Sequence, residues 1–139
     1  MLTSLGHFAP GGRHVMAHRV NWFEIPVVDL ARATRFYEAV LSTTLKVEDF
    51  HGTRLAVFTR KQEGDVTGAL VHSAHLRPSL EGSRVYLDAG TDLDGAIRRV
   101  PQAGGKVLVE KTSIGALGAF AVVRDTEGNA VALHAHVTA

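Results

Sequence analysis

The strongest constraint on this chain's fold is an order of elements that runs through it twice. In Asn21-Trp22-Phe23-Glu24-Ile25-Pro26-Val27 apolar residues fall on alternate positions, as they do along a half-buried strand. Asp29 follows as a helix N-cap, and Leu30, Ala33, Phe36, Tyr37, Val40 and Leu41 keep the i, i+3, i+4 spacing of an amphipathic helix. Three strands are predicted next, at about 44–50, 53–60 and 66–72, with turns at Gly52 and at Glu63-Gly64-Asp65. The order then restarts. Arg84 to Ala89 alternates as a strand, Asp92 caps a helix with an apolar stripe of Leu93, Ala96, Ile97 and Val100, and strands follow near 106–112, 118–124 and 130–136. Pro101 is expected to weaken or kink the last turn of that helix, and Gly104-Gly105 to end it. An ungapped shift of 63 residues, the distance from Asp29 to Asp92, lays Asp29-Leu30 on Asp92-Leu93, Ala33 on Ala96, and Ala69-Leu70 on Ala132-Leu133. Two copies of one β-α-β-β-β unit are therefore expected.

Composition narrows the partners. With 139 residues, 45% hydrophobic and 21% charged, the chain is of single-domain size with an ordinary globular balance. A formal charge of +1, a pI near 8.2 and scattered basic residues give no field for nucleic acid or an anionic membrane, so neither is an expected partner. The chain has no cysteine, which excludes disulfides, thiolate metal ligands and a cysteine nucleophile, and suits a cytoplasmic location. Residues 1–19, with Gly6, Pro10, Gly11 and Gly12, read as a leader or tail outside the fold; Met16 is an alternative start, and His7, His14 and His18 read as tail histidines. The domain is expected over 20–136, in modules of about 20–74 and 83–136.

Two groups of residues carry a family likeness. Trp22-Phe23-Glu24-Ile25-Pro26-Val27-Val28-Asp29-Leu30 with Phe36-Tyr37-Glu38-Ala39-Val40-Leu41 resembles the opening module of the vicinal-oxygen-chelate proteins, the glyoxalase/bleomycin resistance/dioxygenase superfamily. Val85-Tyr86-Leu87, Asp92-Leu93-Asp94, Gly104-Gly105 and Arg124-Asp125-Thr126-Glu127-Gly128-Asn129 resemble its closing module. Within that superfamily the chain is most similar to small bacterial proteins related to lactoylglutathione lyase. Thr126 where proline is common, Pro101 inside the second helix and an extra Gly90 depart from the pattern. The resemblance implies an α+β fold in which two βαβββ modules form a pair of curled mixed-sheet half-barrels around one cleft. It also implies a homodimer, assembled either side by side or by exchange of modules.

The resemblance further implies a divalent metal held by one side chain from the first and last strand of each module. The matching positions here are Trp22, Ala69 (neighbour Leu70), Arg84 or Val85, and Ala132, none of them a usual ligand. No metal or other cofactor is therefore expected. Strand alternation places Trp22, Glu24 and Pro26, then Arg84, Tyr86 and Asp88, then Ala132, His134 and His136 on the cleft side. Trp22, Arg84, Tyr86, Asp88 and His136 are the expected ligand-binding residues, and Glu24 and His134 the expected general bases of a lyase or isomerase. Plainer readings stand beside these: Trp22 as a core side chain, Arg84 paired with Glu24 or Asp88, exposed histidines at positions 134 and 136, and surface roles for His51, His72 and His75. An unconventional metal site could join His134, His136 and Glu24, because i, i+2 side chains share a strand face. A metal-independent small-molecule binder, a lyase or isomerase, and an interaction module with a vestigial cleft are the functions consistent with these residues.

Overall fold

A computed structural model describes residues 18–137, so most of the expected leader, with His7 and His14, lies outside the described residues. The elements are β1 (Trp22–Pro26), α1 (Leu30–Leu41), β2 (Leu45–Phe50), β3 (Thr53–Phe58), β4 (Thr67–Val71), β5 (Tyr86–Asp88), α2 (Leu93–Gln102), β6 (Lys106–Ser113), β7 (Ala119–Arg124) and β8 (Ala130–Ala135). The first four strands make one sheet in the order β1-β4-β3-β2 and the last four a second in the order β5-β8-β7-β6. In each, the two leading strands are parallel and the rest antiparallel, so both sheets are mixed and neither closes. Among the described residues no helix is long and apolar enough to cross a membrane.

Local sequence explains the helices. Asp29 caps α1 by accepting from the Arg32 N–H at 3.0 Å, and Asp92 caps α2 through Gly95 N–H at 2.9 Å. Pro101 sits in the final turn of α2, which nevertheless continues to Gln102. The helix ends where the Gly105 N–H reaches back to the Val100 carbonyl at 2.9 Å. The stripe of α1 buries Ala33, Phe36, Tyr37 and Val40, and that of α2 buries Leu93, Ala96 and Val100. These side chains meet Ile25, Val27, Phe58 and Leu70 from the first sheet and Leu87, Val123, Val131 and Leu133 from the second in one continuous core. Burying a side chain of this size stabilises the fold by roughly 1.5–3 kcal/mol.

The two modules are joined by polar contacts as well. Arg99 of α2 donates to the terminal carbonyls of α1, Ala39 at 2.9 Å and Val40 at 2.9 Å, where the helix dipole is negative. At the other end of α1 sits the β7–β8 turn. Glu127 accepts from the Val28 and Asp29 N–H groups at 2.9 and 2.8 Å and pairs with Arg32 at 2.8 Å, its own side chain fully covered. Asp125, 2% exposed, accepts from the N–H groups of Glu127, Gly128 and Asn129, from the Asn129 amide and, at 2.5 Å, from the Tyr37 hydroxyl. Asn129 in turn donates to the Pro26 carbonyl at 2.8 Å. The Thr126 hydroxyl donates to Glu127 at 2.7 Å, a bond that proline at this position would not supply.

Candidate functional site

Register fixes the relation between the modules. Glu24 faces Ala69 in the first sheet and Tyr86 faces Ala132 in the second. Glu24 is five residues before Asp29 but Tyr86 is six before Asp92, and the additional residue is Gly90, which turns the chain at φ 71°. With that insertion allowed for, Arg84 and not Val85 is the counterpart of Trp22.

The alternation expected from sequence holds on the buried side. Ile25, Val27, Leu87, Val131 and Leu133 are buried, with Phe23, Val85 and Ala89 packed against them. Strand β5 is shorter than the expected 84–89, yet ladder bonding extends one residue each way: Ala132 N–H donates to the Val85 carbonyl at 2.9 Å and Ala89 N–H to the His134 carbonyl at 2.8 Å. Arg84 lies just beyond the ladder.

Arg84, Tyr86, Asp88 and His136 all line one open cavity of about 1060 Å³ at the junction of the modules. Its floor includes Phe23, Leu41 and Phe58 from the first module and Leu87 from the second, and its rim includes Arg60 and Lys61. Trp22, Glu24 and His134 do not line it. Trp22 is 38% exposed, which sets aside its reading as a core side chain, and its indole N–H donates to Glu24 at 3.2 Å. Among the described residues Arg84 forms no ion pair with Glu24 or Asp88, against the plainer sequence expectation. The carboxylate of Asp88 instead accepts from Gly90 N–H at 2.8 Å. The His134 ring contacts the Leu117 carbonyl at 2.7 Å and stacks edge-to-face on His136, centroids 4.7 Å apart. The i, i+2 pair thus shares a face, but Glu24 does not join it: among the described residues no three histidine, aspartate or glutamate side chains gather to hold a metal. His72 is exposed with its ring against the Val27 carbonyl at 3.1 Å, beside a smaller cavity of about 670 Å³.

The family-type metal does not fit the residues present. Ala69 and Ala132 are fully buried and carry no donor atom, Arg84 is cationic, and the Trp22 indole is a hydrogen-bond donor only. Over Ala132 the second sheet carries Val122, Ala130 and Phe120, an apolar cluster in place of a carboxylate.

Sequence reasoning did not single out Arg60, Lys61, Leu41 or Phe58 as site residues. They come from the end of β3, the loop after it and the end of α1, and only the docking of the modules sets them opposite β5.

This architecture, two βαβββ modules with a cavity where they meet, belongs to a known class. Residues 19–133 match the family model of the Glyoxalase/Bleomycin resistance protein/Dioxygenase superfamily. The chain belongs to that superfamily. No curated protein matches it. Among solved structures, a glyoxalase/bleomycin resistance protein from Albidiferax ferrireducens is similar at a TM-score of 0.65 and 17% identity, over 86% of this chain and 100% of the other. A fosfomycin resistance protein from Listeria monocytogenes is similar at a TM-score of 0.60 and 14% identity, over 88% and 96% of the two chains. A glyoxalase I variant from Zea mays reaches 0.60 at 20% identity, over 82% of this chain and 45% of that one. At these identities the likeness is one of fold.

Proposed function

We propose that this protein binds a small polar molecule in the junction cavity without a metal to anchor it. The observation that carries this reading is that four residues expected to bind ligand, Arg84, Tyr86, Asp88 and His136, line a single cavity with an apolar floor. Its size is near the upper end of the usual range for small-molecule sites, and a few polar groups around apolar surface is their usual make-up. Without a metal the orienting charge falls to Arg84, whose planar fork suits carbonyl or carboxylate oxygens. Catalysis by Glu24 or His134 is less well supported, because neither side chain lines this cavity and each is held by a neighbour of its own. A homodimer, small-molecule partners and a cytoplasmic setting belong to the same proposal.

Calorimetric titration against a library of polar metabolites tests it, with tryptophan emission as a second readout. Trp22 is the only tryptophan, and Val20 and Phe23 on either side of it line the cavity. A ligand is expected to alter that emission and to bind the Arg84→Ala variant more weakly by roughly 1–3 kcal/mol. A ligand that leaves the emission unchanged and binds the variant equally well would place recognition elsewhere.

A further inference from the structure

The charges around the junction cavity define a ligand class. Three cations stand on its rim from both modules, Arg60 and Lys61 from the loop after β3 and Arg84 from the segment just before β5, together with the imidazoles of His18 and His136. The Arg60 Nε–H donates to the Asp65 carbonyl at 2.7 Å, which fixes the plane of its guanidinium. Its two terminal amino groups make no other hydrogen bond among the described residues. Lys61 and Arg84 are exposed and, among the described residues, in no ion pair. The two carboxylates that also line the cavity are each engaged by a backbone N–H of their own loop, Asp65 by Gln62 at 3.1 Å and Asp88 by Gly90 at 2.8 Å. Three fixed positive charges against two negative ones leave a local excess of one, which suits a single negative charge better than two. Below the rim, Phe23, Leu41, Phe58, Val85 and Leu87 form a continuous apolar floor with contributions from both modules.

Resting on the binding reading above, we infer that the cavity takes an amphiphilic monoanion, with an apolar body on the floor and a carboxylate or sulfonate head among Arg60, Lys61 and Arg84. A cationic ligand of the same shape is repelled by these three cations, and a neutral one accepts hydrogen bonds from them without the added attraction of opposite charge. Because the rim is open to solvent, that attraction is screened by salt, whereas contact with the floor is not.

Octanoate, octanamide and octylamine separate the terms, since their chains are alike and their heads differ in charge. Each is titrated into the full chain at low and high ionic strength, with backbone amide resonances as the readout. Octanoate is expected to shift the amides of Phe58, Val85 and Leu87 and to bind about tenfold more tightly than octanamide. Added salt and the Lys61→Ala and Arg84→Ala substitutions are expected to weaken octanoate binding more than octanamide binding, and so to narrow that difference. These residues are exposed, so their removal does not threaten the fold. If octanamide or octylamine binds as tightly as octanoate, the anion inference falls while the cavity reading stands. If none of the three moves those amides, both fall. A Lys61→Ala, Arg84→Ala double variant that binds octanoate unchanged also overturns the anion inference.

Discussion

At the scale of single residues, Glu127 is the side chain whose environment does most to tie sequence to stability. Burial pushes its carboxyl pKa up. The Arg32 guanidinium, the N–H groups of Asp29 and Val28 and the Thr126 hydroxyl outweigh that and hold it at about 2. The folded state therefore binds the charged form, against an ordinary value of 4.5, and the resulting stability is fully present above pH 4.5 and lost as pH falls through about 2. The partner of Glu127, Arg32, is half exposed, so solvent screens the pair and the contribution at neutral pH is roughly 1–2 kcal/mol. Glu127→Gln should accordingly be less stable than the parent by an amount of that order in urea unfolding at pH 7. The gap should narrow steadily as pH drops from 4.5 toward 2. A gap that is constant with pH would mean that packing, not charge, is what the substitution removes. Tyr37 is governed by the same turn: burial and the neighbouring Asp125 carboxylate push its phenol pKa well above the ordinary value. It remains a neutral donor to Asp125 through the physiological range.

The elements show where sequence reasoning reaches and where it stops. The Gly104-Gly105 pair predicted the end of α2, but its second member does more than end a helix. A methyl group on Gly105 would lie 2.5 Å from the Arg124 carbonyl oxygen and 2.6 Å from the Phe36 ring, the latter a side chain of the other module. Gly105→Ala should therefore cost roughly 1–3 kcal/mol through overpacking, visible as a lowered thermal midpoint, whereas Gly82→Ala, with open space around it, should be near neutral. Helix caps, apolar stripes and strand alternation were legible because each is set by neighbours within a few residues. The Asp125-to-Asn129 segment was legible as a turn and as a family motif. Its role as a clamp on α1 was not, because Glu127 and Arg32 are brought together only by the docking of the modules. The same holds for the site. Tyr86 and Asp88 follow from the alternation of β5, whereas Arg60 and Lys61 face them only once both modules are in place. The expectation that Glu24 would pair with Arg84 assumed an encounter across the modules, and a local Trp22–Glu24 bond is formed instead.

At the scale of the whole molecule, the modules are repeats in topology but not independent in energy. Phe36 and Tyr37 lie in one core with Leu87, Val123 and Leu133, so a separated first module would expose its helix stripe and leave the Asp125 and Glu127 clamp behind. Residues 18–74 expressed alone should give little cooperative unfolding, and mixing with 83–137 should restore it. A cooperative transition in either half alone would show that the shared core is dispensable. The cleft-side face of the second sheet bears on assembly. Register places Val109, Val122, Ala132 and Tyr86 on one face across β6, β7, β8 and β5, with Phe120 beside Tyr86 at a ring separation of 6.0 Å. Val122 and Ala132 are buried, but the strip is open at both ends, with Val109 43% and Tyr86 54% exposed. Among the described residues strands β1, β2, β5 and β6 are unpaired along their outer edges, and neither sheet closes on itself. A second copy packed on the Val109 end would bury that part of the strip and leave Tyr86 to the cavity. The protein is expected to sediment as a homodimer at micromolar concentration, and Val109→Lys, which sets a charge at the open end of the strip, should shift it toward monomer without lowering its helix content. A parent protein that sediments as a monomer would leave this face to a partner other than itself.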